Sequence, residues 1–256
     1  MIVCADDFGL SGDVNAAILD LAAARRVVAV SCMVHAPAFD ACSASALADR
    51  GRVVSLGLHL TFTADPEFRA LAGASAPPDE DAAFRRLLAL GLRRRLDAGA
   101  ARLIVEGQYS AFIAAFRREP EFLDGHMHVH QFPGVRDAVV SFAAGLPAGA
   151  RPYVRNTATP LTRILAQGVA PMKTFWISRW GAPLHRRLRA VGVPTNDGFA
   201  GLYDARRHAR FPDYLRRFVR GLDTPGAILM VHPGLAPTWR RVEYDTLSAG
   251  GWEAGR

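Results

Sequence analysis

The chain opens with Met1-Ile2-Val3-Cys4-Ala5-Asp6-Asp7-Phe8-Gly9, a stretch that decides the expected fold class. Its first half is apolar, and two adjacent carboxylates followed by Phe and Gly interrupt the run before a helical pattern begins at Ser11. This order predicts a buried strand, a turn and a helix. Side chains at the carboxyl ends of parallel strands face a common cleft, so Asp6 and Asp7 are candidates for chemistry. A solvated acidic turn is the other interpretation, because Asp and Gly are common in turns.

Strand-like and helix-like segments alternate along the rest of the chain. A β-branched run at Val27–Val34 follows the first helical pattern and completes a strand, helix, strand unit. Further strand-like runs occupy Val53–Leu58, Phe122–Asp124 and Ala227–Val231, with helical patterns between them. Such alternation predicts an α/β protein whose parallel sheet is closed or nearly closed into a barrel.

The length of 256 residues and a hydrophobic share of 50% allow one large domain or two small ones. No linker divides the sequence, so we expect a single domain over residues 1–256, with a loop insertion near 62–80 and a less regular segment near 147–194. No apolar run in the sequence is long enough to span a bilayer, and because strand-like residues start at Ile2 we expect no secretory signal. Cys4, Cys32 and Cys42 lack metal-type spacing and are expected to be reduced core thiols, which favours a cytoplasmic protein.

The formal net charge of +7 comes almost wholly from arginine, because Lys173 is the only lysine. Three arginine clusters fall in predicted helices: Arg93, Arg94 and Arg95; Arg186, Arg187 and Arg189; Arg216, Arg217 and Arg220. A basic surface favours anionic partners such as phosphorylated sugars or membrane headgroups. Without a nucleic-acid motif or interleaved stacking aromatics, we expect no nucleic-acid partner. The sequence leaves open a peripheral membrane contact and a homodimer.

Polar side chains recur where the predicted strands end. In chain order these positions are Asp6 with Asp7, then His59, then His126 with His128 and His130, and finally His232. A lone histidine of this kind is often a hydrogen-bonded core residue. Their shared place at strand ends nevertheless predicts that these groups meet in one cleft.

The run His126-Met127-His128-Val129-His130 holds three of the eight histidines in the chain. Whether it is extended or begins a helix, at least two of its imidazoles share a face. Imidazole suits zinc and other divalent metals, and two histidines with a carboxylate leave coordination positions open. A polar loop with incidental histidines is the alternative, although closely packed imidazoles would repel each other when protonated.

Four motifs, in this order, resemble the YdjC family of carbohydrate deacetylases, which includes chitooligosaccharide deacetylases and hopanoid-associated proteins. They are Ala5-Asp6-Asp7-Phe8-Gly9-Leu10-Ser11, Gly57-Leu58-His59-Leu60-Thr61, Asp124-Gly125-His126-Met127-His128-Val129-His130 and Val231-His232-Pro233-Gly234. The resemblance implies an irregular (β/α) barrel, TIM-barrel-like and related to NodB-type polysaccharide deacetylases. It also implies metal-dependent removal of acetyl from an N-acetylated amino sugar carried by an oligosaccharide, a glycolipid or a nucleotide.

The same resemblance implies a role for each matching residue. Asp7, His59 and His126 become ligands of one divalent metal ion, zinc or magnesium. Asp6 becomes the general base, and His232 becomes the general acid or the group that stabilises the oxyanion. The residues implied to bind substrate or to support the ligands are His128, His130, Arg155 and Asp124.

Two other functions remain open on the sequence. One is a metal-dependent phosphoesterase or another amidohydrolase on the same barrel, and the other is a non-catalytic glycan- or lipid-binding barrel. Amide hydrolysis needs an activated water, a polarised carbonyl and an acid. A metal held by Asp7, His59 and His126 would provide the first two, and His232 would provide the acid.

Two segments depart from the family pattern. The tail from Leu235 to Arg256 is shorter than the family leads us to expect. The second segment, from Pro147 to Pro194, matches no family pattern and is expected to shape substrate choice. Its aromatic residues Phe175, Trp176 and Trp180 either pack in the core or contact a sugar ring or a lipid.

Overall fold

A computed structural model describes residues 1–50, 53–63, 79–222 and 224–252. Its strands are Ile2–Phe8 (β1), Ala29–Cys32 (β2), Ser55–Leu60 (β3), Phe122–Gly125 (β4), Tyr153–Val154 (β5), Gly198–Ala200 (β6) and Ala227–Val231 (β7). Its helices are Gly12–Ala23 (α1), Ala41–Ala48 (α2), Glu80–Leu92 (α3), Ala98–Phe116 (α4), Val135–Gly145 (α5), Leu161–Gln167 (α6), Pro171–Ala190 (α7), Phe211–Gly221 (α8) and Trp239–Ala249 (α9). Most of the loop expected near 62–80 lies outside the described residues.

The strands form one parallel sheet in the order β5-β4-β3-β2-β1-β7-β6. An isolated parallel bridge pairs Val154 with Thr195, and the Val154 amide donates to the Pro194 carbonyl at 2.9 Å. These contacts join edge strand β5 to the residues that lead into β6. The sheet therefore curls into a half-barrel, which confirms the predicted α/β, TIM-barrel-like fold.

Both faces of the central strands are covered. Every residue of β7 is buried, and β1 is buried from Val3 to Phe8, so these strands are nearly continuous apolar runs rather than alternating ones. Burying each large apolar side chain stabilises the fold by about 1.5–3 kcal/mol. Cys4 and Cys32 are free thiols in this core, whereas Cys42 is exposed, so the core prediction is wrong for Cys42.

The register between β3 and β4 sets the base of the cleft. Gly57 pairs with Phe122 and His59 pairs with Asp124. A Cβ atom on Gly57 would lie 2.2 Å from the Phe122 ring, so only glycine allows this approach. The pairing places an imidazole beside a carboxylate on adjacent strands.

The arginine clusters lie partly where predicted. Helix α8 buries Tyr214, Leu215, Phe218 and Val219 and turns its arginines outward, as expected of a solvated face. Arg93–Arg95 follow the end of α3 at Leu92, so their assignment to a helix is wrong, although Arg93 caps it.

The segment near 147–194 is more regular than the sequence indicates. It contains β5, α6 and the long helix α7. The buried face of α7 includes Thr174, Ser178 and Gly181, so its hydrophobic period is weak. The tail after Gly234 forms the eleven-residue helix α9. Among the described residues, no helix combines the length and the apolar character needed to cross a bilayer.

Candidate active site

The end of β1 is distorted where the two carboxylates lie. The pairing of β1 with β2 shifts register between Ala5 and Phe8, and Asp7 has a left-handed φ of 69°. In a regular strand, neighbouring side chains point to opposite faces. Because of the distortion, Asp6 and Asp7 both line the same cleft.

Asp7, His59 and His126 converge at this cleft. Asp7 Oδ1 lies 3.2 Å from His59 Nε2 and 2.9 Å from His126 Nδ1. One ligand atom from each of the three residues lies within 4.8 Å of the others. One carboxylate and two imidazoles fit a divalent transition metal and leave coordination positions open. The structure thus brings together the three residues predicted as metal ligands.

Opposite charges shift the pKa of each member of this cluster. Burial opposes ionisation of Asp7, but the His126 imidazole and the hydrogen bonds from both histidines hold its pKa well below the usual range. Burial also disfavours charged imidazole, yet Asp124 raises the pKa of His59 to about 10 and Asp7 raises that of His126 to about 9. The cluster therefore attracts positive charge strongly.

A second carboxylate contacts the far side of each imidazole. Asp124 Oδ1 lies 2.6 Å from His59 Nδ1, and Ser31 Oγ donates to the same oxygen. On the other ring, Glu80 Oε1 lies 3.0 Å from His126 Nε2. Carboxylates in this position fix the tautomer and the orientation of a ligating histidine. Asp124 was expected in this role, whereas Glu80, in the first turn of α3, was not.

Asp6 binds a buried arginine. The Arg155 guanidinium donates to both Asp6 oxygens at 2.6 and 2.7 Å and lies 2.6 Å from Asp124 Oδ2. Cys4, Asp6 and Asp124 are close enough to form a second metal group, but the guanidinium already fills the space between them. Arg155 is thus close to the cleft, as expected, while Asp6 has a cationic partner that the sequence did not indicate.

The histidine run is neither a strand nor a regular helix. It forms a kinked 3₁₀ segment in which Met127 and His128 have left-handed φ angles of 52° and 59°. His128 lines the cleft and packs edge-on against Phe199, and burial holds its pKa well below the usual range. His130 instead points away, and its Nε2 donates to the Arg155 carbonyl at 2.9 Å. Burial lowers the pKa of His130 to about 4, so this ring is neutral and structural.

His232 follows β7, the strand that pairs with β1, and it lines the same cleft as Asp6 and Asp7. Burial lowers its pKa to about 4, so the imidazole is neutral near pH 7. Its backbone amide donates to Glu243 Oε2 at 2.6 Å, and the Tyr203 hydroxyl donates to Glu243 Oε1. Glu243 is fully buried, and burial raises its pKa to about 7. Glu243 lies on α9, where no motif identified it.

The cleft has a volume of about 380 Å³. Six of the predicted site residues line it: Asp6, Asp7, His59, His126, His128 and His232. Asp124, His130 and Arg155 lie behind this wall and support it. Of the three aromatic residues on α7, Trp180 packs against Phe132 in the core, whereas Trp176 is 59% exposed.

The curled parallel sheet places the protein in the α/β barrel-type class. Asp7, His59 and His126, at the ends of its strands, form a candidate metal site. More specifically, the chain belongs to the YdjC-like protein family, whose sequence profile matches residues 1–252. The resemblance drawn from the four motifs is thereby confirmed.

Named relatives agree with this family. The chain is 31% identical to a carbohydrate deacetylase of Mus musculus over 253 residues, which cover 91% of this chain and 77% of the relative. It is 32% identical to a carbohydrate deacetylase of Homo sapiens, with 91% and 74% covered. A chitooligosaccharide deacetylase of Citrobacter koseri is 31% identical over 144 residues, or 56% of this chain and 55% of that protein.

A solved structure supports the fold. It is that of a candidate cellobiose-phosphate cleavage protein from Enterococcus faecalis, with a TM-score of 0.65 and 16% identity. The match covers 99% of this chain and 92% of the other.

Proposed function

We propose that this protein is a metal-dependent carbohydrate N-deacetylase. It hydrolyses the acetamide of an N-acetylated amino sugar, carried by an oligosaccharide, a glycolipid or a nucleotide, and releases acetate. The observation that carries the proposal is the convergence of Asp7, His59 and His126 in the cleft that Asp6 and His232 also line. Relatives named carbohydrate and chitooligosaccharide deacetylases support the choice of reaction.

In this proposal Asp7, His59 and His126 hold one divalent ion, zinc or magnesium. Two imidazole donors favour zinc, since magnesium prefers oxygen ligands. The ion, when bound, lowers the pKa of water and polarises the acetyl carbonyl. Asp124 and Glu80 hold the two imidazoles in the tautomers that leave His59 Nε2 and His126 Nδ1 free to bind it.

Asp6 accepts the proton of the attacking water. Arg155 holds both of its oxygens, which fixes the plane of the carboxylate at the floor of the cleft. An ionised carboxylate has about four lone-pair sites, so a proton can be accepted while the guanidinium stays bound. The base is thus oriented before substrate arrives, which lowers the entropic cost of the transition state.

His232 acts on the acetyl oxygen or on the leaving amine. A neutral imidazole carries one N–H, which can donate to the developing oxyanion. To act as the general acid, His232 must first gain a proton and then pass it to the amine nitrogen as the C–N bond breaks. Both roles require a fixed imidazole. Glu243 accepts a hydrogen bond from the His232 backbone amide, and Trp239 packs edge-on against the His232 ring.

Product analysis tests the proposal against its alternatives. The zinc- and magnesium-loaded proteins are incubated with N-acetylglucosamine, di-N-acetylchitobiose, an N-acetylated glycolipid and a nucleotide-linked N-acetylhexosamine, and free acetate and free phosphate are quantified. We expect acetate from at least one substrate and an equal amount of new primary amine. Phosphate without acetate would support the phosphoesterase, and binding without any product would support the non-catalytic barrel.

A further inference from the structure

Arg240 is a charged residue of the cleft to which no motif assigns a role. It lies in the first turn of α9, in the tail that follows the His232 motif. Its Nη2 donates to Asp7 Oδ2 at 2.6 Å, on the opposite oxygen from the one that faces the two imidazoles. Arg240 thus contacts the candidate metal cluster directly.

The guanidinium is held rigidly. Its central carbon lies 4.8 Å from the centre of the Trp239 ring, a stacked cation–π geometry. Trp239 in turn packs edge-on against the His232 imidazole, with 5.6 Å between ring centres. Only 15% of the Arg240 side chain is exposed. The position of the guanidinium therefore depends on packing as well as on Asp7.

One nitrogen of the Arg240 guanidinium makes no hydrogen bond to the described residues. Arg240 Nη1 is buried and has no hydrogen-bond partner among the described residues, although Arg240 lines the cleft. Leaving a buried charged donor unsatisfied is costly, whereas a hydrogen bond from a charged group is worth about 1.5–3 kcal/mol. An acceptor oxygen entering the cleft beside Asp7 would satisfy it.

We infer that Arg240 is a substrate-binding residue whose Nη1 donates to the acetyl oxygen while Nη2 keeps Asp7 in place. This inference rests on the proposed deacetylase function. Arginine stays protonated in any protein environment, so it brings a permanent positive charge to the oxygen on which negative charge develops. His232, neutral near pH 7, does not bring such a charge. The same oxygen survives in acetate, so the product should use the same contact.

The competing explanation is that Arg240 only holds Asp7. Arg240→Lys separates the two, because lysine keeps a cation for Asp7 but lacks the second, planar nitrogen. Arg240→Gln removes the charge as well. Arg241→Lys is the matched control, since the neighbouring Arg241 is half-exposed and pairs with Asp245 at 2.7 Å on the outer side of the helix.

Three quantities are measured for each variant: zinc affinity by competition with a chelator, acetate affinity of the zinc-loaded protein by NMR titration, and kcat and KM with di-N-acetylchitobiose. For Arg240→Lys we expect zinc affinity within about threefold of wild type. Acetate affinity should fall about tenfold and kcat/KM about 10- to 100-fold, as the loss of a charged hydrogen bond predicts. Arg241→Lys should match wild type in all three.

Wild-type acetate affinity and wild-type kcat/KM in Arg240→Lys would overturn the inference. So would a fall in zinc affinity that alone accounts for the fall in kcat/KM, because Arg240 would then only hold Asp7. If the wild-type protein releases no acetate from any sugar, the proposed function fails. The acetate titration still decides whether Arg240 binds a carboxyl oxygen.

Discussion

His59 and Asp124 face each other across β3 and β4, and His59 Nδ1 lies 2.6 Å from Asp124 Oδ1. Asp124 also contacts Arg155, which binds Asp6. One buried carboxylate therefore links a candidate metal ligand to the candidate base. Because these groups are buried, removing Asp124 leaves unpaired charge on both sides.

Asp124→Asn should weaken metal binding. The amide keeps the shape of the side chain but loses the charge that orients His59, so we expect zinc affinity to fall about 10- to 100-fold. Zinc affinity measured by chelator competition checks this. Ser31→Ala is the control: it removes a neutral hydroxyl that donates to Asp124 and lies 3.0 Å from His59 Nδ1, but it leaves the carboxylate in place, so zinc affinity should change much less. Equal affinities for Asp124→Asn and wild type would show that His59 needs no such partner.

Glu80 should orient His126 as Asp124 orients His59, but its removal should lower zinc affinity less. The Glu80 side chain is 48% exposed, so solvent screens its contact with His126 Nε2 and can replace it. Glu80→Gln is expected to lower zinc affinity about two- to tenfold. The adjacent, exposed Asp81→Asn serves as the control. A loss as large as that in Asp124→Asn would mean that Glu80 itself binds the metal.

Buried neutral histidines should make the fold acid-sensitive. Burial lowers the pKa of His130 from 6.5 to about 4. Between these values the unfolded chain binds a proton that the native state does not, so the free energy of unfolding falls as the pH falls from 6.5 to 4. His130→Gln keeps an N–H for the Arg155 carbonyl but does not titrate.

Urea unfolding of the metal-free protein at several pH values measures this contribution. We expect His130→Gln to lose less stability than wild type between pH 6.5 and 4, by an amount on the order of 3 kcal/mol. His232 still titrates in the variant, so part of the slope should remain. Parallel curves for the two proteins would show that His130 does not hold a lowered pKa.

Gly57→Ala should destabilise the sheet beneath the cleft. The new methyl group would lie 2.2 Å from the Phe122 ring, and relieving such overlap in a packed core costs about 1–3 kcal/mol. Gly107→Ala is the contrasting control, because that helical glycine has open space around its Cβ position. The control should be stabilised by about 0.5–1 kcal/mol. Thermal unfolding of both variants tests the packing.

The sequence predicted the elements whose signal is local. The apolar run predicted at Ala227–Val231 forms β7 with the same bounds, and the helical pattern predicted from Ser11 forms α1, which begins at Gly12. The convergence of Asp7, His59 and His126 was predictable because each belongs to one of the motifs that resemble the family and lies near the end of a predicted strand. In contrast, most of α7 was not predicted, because its buried face starts with the small or polar residues Thr174, Ser178 and Gly181; only the arginine cluster near its end was placed in a helix.

Other parts of the site depend on contacts that no local pattern records. Asp6 pairs with an arginine 149 residues away, and Arg240 reaches Asp7 across 233 residues. Glu80 and Glu243 are ordinary helix residues in the sequence, and only the packing of α3 and α9 brings them into contact with His126 and His232. The left-handed backbone at Asp7 likewise has no glycine to mark it.

The most direct test of the central claim compares the metal content and acetate release of Asp6→Asn and His126→Ala with those of wild type. In the proposed mechanism Asp6 accepts a proton and His126 binds the metal. Asp6→Asn should therefore retain about one divalent ion per chain and lose most of its turnover, whereas His126→Ala should lose the ion and the activity together. Full acetate release by Asp6→Asn, or a full complement of metal in His126→Ala, would contradict it.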